Sequence, residues 1–124
     1  MGRNLIQHIM NHTQTVQLNR KRAALTQGEL ADLIAVSQSS ISRAEREKTS
    51  KMTTLETLLG LQVVFGHSPR ALFSSLYAKI EEAVMTRAAE LDCILRSKDD
   101  PQSNKKKQLL SAMMKRATSQ SPKI

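Results

Sequence analysis

Between residues 37 and 51 the chain reads SQSSISRAEREKTSK. Wound as a helix from Gln38, this stretch puts Ile41 and Ala44 on one face, three residues apart, and leaves Gln38, Ser39, Ser42, Arg43 and Arg46 on the other. That outer face consists of amide, hydroxyl and guanidinium groups, with no carboxylate on its central turn. Such groups suit the edges of base pairs. A glutamine amide can bond adenine N6 and N7 together, and a guanidinium can do the same to guanine O6 and N7. Gln38 and Ser39, with Ser42 and Arg43 one turn on, are therefore the candidate base contacts. Ser40, Arg46, Lys48, Thr49 and Lys51 are assigned to phosphates, which position a protein on DNA without reading sequence. For any one of them the simpler reading is a solvated surface residue.

Other chemistry has no comparable signature. His8, His12 and His67 are not spaced with Cys93 as metal ligands. No glycine-rich phosphate loop and no nucleophile–base pair stand out. Neither a catalytic residue nor a metal or cofactor is expected, and the chain reads as a binding protein rather than an enzyme.

A helix that reads base edges needs a second one to hold it. Thr26 and Glu29 have the spacing of a capping box, opening a helix on which Leu30, Ala31 and Ile34 share a face. Ala35-Val36-Ser37 interrupts the pattern, with Val36 as an apolar plug and Ser37 as the cap of the next helix. Gln27 sits at the start of the first of these helices, where free backbone N–H groups and the helix dipole favour a phosphate.

These residues resemble the helix-turn-helix of the phage-repressor (Cro/C1-type, XRE-like) family. The resemblance is carried by Thr26-Gln27, Glu29-Leu30-Ala31, Val36-Ser37-Gln38, Ser40-Ile41-Ser42 and Glu45 with Lys48. It covers about residues 16–73 and implies an all-α fold: a five-helix, lambda-repressor-like DNA-binding bundle. It also implies that Arg20 pairs with Glu45 as a structural ion pair inside the domain. It implies further that Gln27 touches the DNA backbone and braces Gln38. Family members usually carry glycine where this chain has Ala35 and Glu47, so both turns are expected to need left-handed backbone.

The remaining chain divides by composition. Residues 1–13 carry an apolar stripe, Leu5, Ile6, Ile9 and Met10, and read as an arm or short helix. The helix-turn-helix domain spans residues 14–73. Its fourth helix should open with a Thr53–Glu56 capping box and fill the core with Leu55, Leu58, Leu59, Leu61 and Val63. Residues 74–97 form a long helix on which Tyr77, Ile80, Val84, Arg87, Leu91 and Ile94 alternate three and four apart, a coiled-coil seam interrupted by Arg87. This helix either packs back on its own domain or pairs with a partner. Pairing as a homodimer through Tyr77, Ile80, Val84, Leu91 and Ile94 is the expectation. Residues 98–124 read as a basic linker, broken at Pro101, and a tail helix over Leu109 to Ala117.

Charge follows this division. The net charge of +8 arises mainly from residues 14–52, at +3, and residues 101–124, at +6. A small basic domain of this kind suits double-stranded DNA. With 40% apolar but only 2% aromatic residues, the core must be aliphatic and helical. The single cysteine, Cys93, permits no internal disulfide, and neither a membrane span nor a secretory signal stands out, so a cytoplasmic location is expected.

The leading reading is a sequence-specific DNA-binding transcriptional regulator, a dimeric repressor of a bacterial or mobile-element operon. The alternative is an antitoxin-type autoregulator whose C-terminal region binds a protein partner. Light scattering separates them, because a stable dimer favours the first and a monomer with an unfolded tail the second. A sequence-neutral nucleic-acid binder is a third reading, tested by competition with unrelated DNA.

Overall fold

The structure, a computed structural model, describes residues 15–120. It consists of seven α-helices and one 3₁₀ turn, with no strand among the described residues. The helices are α1 (Val16–Arg22), α2 (Gln27–Ile34), α3 (Gln38–Glu45), α4 (Leu55–Phe65), α5 (Pro69–Leu72), α6 (Ser74–Leu95) and α7 (Pro101–Gln120). The 3₁₀ turn, Ser50–Met52, lies between α3 and α4. Two compact units divide at Ala78 and Lys79, within α6. The expected arm at residues 1–13 lies outside the described residues.

In the first unit, helix starts are written locally. Thr15, Thr26, Ser37, Thr54 and Ser68 each accept a backbone N–H three residues on. At Thr26 the box is closed from both sides, since Glu29 Oε1 also accepts the Thr26 N–H at 2.9 Å. These bonds to Thr26 hold the Glu29 carboxyl below its ordinary range, so the box stays charged until the solution is distinctly acid. The five helices bury Val16, Leu30, Ala31, Ile41, Ala44, Leu61 and Leu72, with Leu25, Ile34, Val36, Val64, Phe65 and Phe73 packed against them. This aliphatic core is the five-helix bundle expected.

Helix α4 departs from expectation in two ways. Its cap is Thr54, whose hydroxyl also donates to Thr57 Oγ1 at 3.0 Å, rather than Thr53. Its buried face is Thr57 and Leu61, while Leu55, Leu59 and Val63, expected in the core, are 68%, 50% and 84% exposed. The helix is apolar on nearly every side, so periodicity cannot choose a face. Close approach of α2 chooses it: a Cβ on Gly60 would lie 2.3 Å from Ile34 Cγ2. Only glycine lets that side of α4 reach the β-branched Ile34, whose side chain has little freedom to yield.

Helix α6 runs through its 22 residues without a break. Ser75 near its start donates to Glu47 Oε1 at 3.3 Å, and the Arg70 guanidinium lies 4.7 Å over the Tyr77 ring. Tyr77, Ile80, Val84, Leu91 and Ile94 are all exposed, by 37% to 61%.

The linker expected after residue 97 is shorter than the composition suggests. Pro101 begins α7 instead of breaking a helix, because proline at a first helical position gives up an N–H that would have no partner there. Asp100 accepts from Ser103 N at 3.0 Å and from Ser103 Oγ at 2.6 Å, which holds its carboxyl below the usual range. The Lys107 ammonium turns back to the Lys98 carbonyl, and Asn104 Nδ2 donates to Asp99 Oδ1 at 3.2 Å. Residues 101–107, read as linker from their charge, are thus the first two turns of a capped helix.

Candidate nucleic-acid interface

The site is built on α3. Ile41 and Ala44 are 0% and 4% exposed, and they anchor the helix against α2 through the core they share with Leu30 and Ala31. The turn between the two helices closes on the Val36 N–H, which donates to the Ala31 carbonyl at 3.0 Å. Ala35 takes the left-handed conformation there, with φ 63° and ψ 46°. Ser37 caps α3: its Oγ accepts from Ser40 N at 3.2 Å and lies 3.0 and 2.9 Å from the hydroxyls of Ser39 and Ser40.

With the inner face fixed, Gln38, Ser39 and Arg43 are exposed and Ser42 is half-buried at the edge. These are the residues whose types suit base edges, and the structure brings all of them to one side of α3. Arg46, Lys48 and Lys51 are exposed on the segment that follows. Thr49 is half-buried, and its hydroxyl donates to the Arg43 carbonyl at 2.8 Å. That bond satisfies one of the last carbonyls of α3, so the Thr49 hydroxyl supports the helix end. Ser40 is likewise half-buried, its hydroxyl engaged with Ser37.

The one carboxylate of α3 is withdrawn from this face. Glu45 has a side chain only 3% exposed, and Arg20 Nε meets its Oε2 at 2.5 Å while Arg20 Nη2 donates to Oε1 at 3.2 Å. Arg20 Nη1 donates to the Leu25 carbonyl at 2.9 Å. The bond to Glu45 raises the arginine's pKa above its already high ordinary value. The effect on the outer face is electrostatic: α3 keeps Arg43 outside and neutralises Glu45 inside.

Gln27 joins this cluster, with its Nε2 donating to Glu45 Oε1 at 2.9 Å. The family resemblance placed the glutamine against Gln38; here its amide goes to the carboxylate beneath α3. What lies near Gln38 is Gly28, where a Cβ would stand 3.7 Å from Gln38 Oε1. The Thr49 clamp and the Gln27–Glu45 bond were not read from the sequence. Neither joins two residues of one helix, so no spacing rule could have found them.

Of the two turns where family members carry glycine, only one is left-handed. Among the described non-glycine residues, Ala24 and Ala35 have positive φ, at 59° and 63°, and Glu47 does not. The loop after α3 is closed instead by ordinary turns, with Thr49 and Ser50 N–H groups both bonded to the Arg46 carbonyl. Replacing Ala35 by glycine removes a strain of roughly 1–2 kcal/mol, partly offset by the greater freedom of the unfolded chain. The expected result is a net gain of about 0.5–1 kcal/mol and a higher Tm in a thermal melt.

Residues 16–72 match the helix-turn-helix family model. This segment is a helix-turn-helix domain of the Cro/C1 (XRE-like) type. The match takes in α1 to α5 and just under half of the chain. No curated protein and no solved structure matches it. A helix-turn-helix domain of this type marks a DNA-binding regulator of transcription. Among the described residues no three His, Cys, Asp or Glu side chains stand together as a metal site, and no helix is long and apolar enough to cross a membrane.

Proposed function

We propose that the chain is a sequence-specific repressor of transcription in a bacterial or mobile-element operon, acting as a homodimer on double-stranded DNA. The observation that carries this reading is the polarity of α3: Ile41 and Ala44 inside, Gln38, Ser39, Ser42 and Arg43 outside, and Glu45 neutralised within the domain. Each protomer places α3 in the major groove, which is wide enough for a helix. Ser40, Arg46, Lys48, Thr49, Lys51 and the Gln27 end of α2 meet the flanking phosphates. Repression follows from occupancy, since a dimer seated on the operator excludes other proteins from it.

Dimerisation is assigned to α6, whose seam of Tyr77, Ile80, Val84, Leu91 and Ile94 is exposed in the single chain. A twofold pair matches two half-sites about one DNA turn apart. Selection of binding sites from random duplexes tests the whole reading. A twofold-symmetric motif with half-sites about 34 Å apart is the expected outcome, with light scattering giving twice the chain mass. Recovery of no preferred sequence would remove the claim of specificity.

A further inference from the structure

The two helices beyond the DNA-binding domain differ sharply in charge. Over its 22 residues α6 carries Glu81, Glu82, Glu90 and Asp92 against Lys79 and Arg87. Over its 20 residues α7 carries Lys105, Lys106, Lys107, Lys115 and Arg116 and no acidic residue at all. Lys107 is turned to the Lys98 carbonyl, but Lys105, Lys106, Lys115 and Arg116 are exposed. At 100° per residue, Lys105, Lys115 and Arg116 fall within about a third of the helix circumference, and the first and last are about 16 Å apart along the axis.

Like charges gathered on one ordered helix repel each other, and their clustering is offset when a polyanion binds. We propose that α7 is a second, sequence-neutral DNA-contacting element, in which Lys105, Lys106, Lys115 and Arg116 meet backbone phosphates. This rests on the DNA-binding reading above and adds to it. A membrane surface fits the helix less well. It has no aromatic residue, and its large exposed apolar side chains are Leu109 and Met114, whereas interfacial helices present a broad apolar face with aromatic or leucine anchors. An acidic protein would need a broad apolar or aromatic anchor at the centre of the contact, and this basic face offers only one large exposed apolar side chain, Leu109, and no aromatic.

The contact is visible in the salt dependence of binding. Each phosphate neutralised contributes about 0.9 to the slope of log affinity against log salt. The full-length chain with Lys105, Lys106, Lys115 and Arg116 all changed to glutamine, a good helix former, should show a slope shallower by about 2–4 on both a selected site and a random duplex. The ratio of the two affinities should stay the same. A companion chain with Lys105→Arg, Lys106→Arg and Lys115→Arg should keep the original slope. An unchanged slope in the glutamine variant, with unchanged helix content by circular dichroism, overturns the proposal. So does a changed affinity ratio. If instead the native chain sediments with phosphatidylserine vesicles and the glutamine variant loses only that property, a lipid surface takes the place of DNA. If the native chain binds no duplex of any sequence, the DNA-binding reading itself has failed. Binding with an α7-independent slope removes only the present inference.

Discussion

Glu45→Ala should lower the domain's stability by about 3 kcal/mol, more than any surface change in the molecule. The carboxylate is almost wholly buried and accepts from Arg20 through two nitrogens and from Gln27 through a third. Removing it leaves a guanidinium whose side chain is 12% exposed, holding only its bond to the Leu25 carbonyl. Arginine cannot shed its proton to escape that cost. The Gln27 amide loses its acceptor at the same time. For a domain of this size each kcal/mol moves Tm by about 4–8 °C, so the melt should fall by about 12 °C or more. Adding Arg20→Met to Glu45→Ala should recover much of the loss, because the penalty lies chiefly in the unpaired charge and not in the missing attraction. An unchanged Tm in the single variant would show that the pair has no structural role.

The second large effect is on recognition. Gln38→Ala should cost about 1–3 kcal/mol on the preferred site, up to about a hundredfold in affinity, and nothing comparable on sites differing at the base it reads. Lys48→Ala should weaken every duplex alike and flatten the salt slope by about 1. The contrast follows from position. Gln38 stands at the N-terminal end of a helix pinned by Ile41, Ala44 and the Ser37 cap, so its amide is presented in a fixed frame. Lys48 is an exposed ammonium on the turn after the helix, a point charge with no geometry to impose. Titrations of both variants against a panel of half-site mutants separate the two behaviours. Uniform loss in both would mean that Gln38 reads no base.

What was legible at the level of sequence was short-range. Caps lie three residues before the backbone N–H groups that donate to them, and a helical face repeats every three or four, so Thr26–Glu29, Ser37 and the inward Ile41 and Ala44 could be read directly from spacing. The register of those residues is also what carries the resemblance of this segment to the helix-turn-helix family. The meeting of Arg20 with Glu45, twenty-five residues apart, came from the resemblance and not from any periodicity.

Other features were decided only when the helices packed. Helix α4 could have buried either face, because both are apolar; contact between Gly60 and Ile34 turned Thr57 and Leu61 inward and left Leu55, Leu59 and Val63 outside. Pro101 can end one helix or begin another, and Asp100 with Ser103 made it a beginning. The Gln27 amide, expected against Gln38, went to the buried Glu45 carboxylate. Local spacing dictates which groups a helix can present. Which face it buries, and which partner a long polar side chain finds, depends on neighbours that only the folded chain brings within reach.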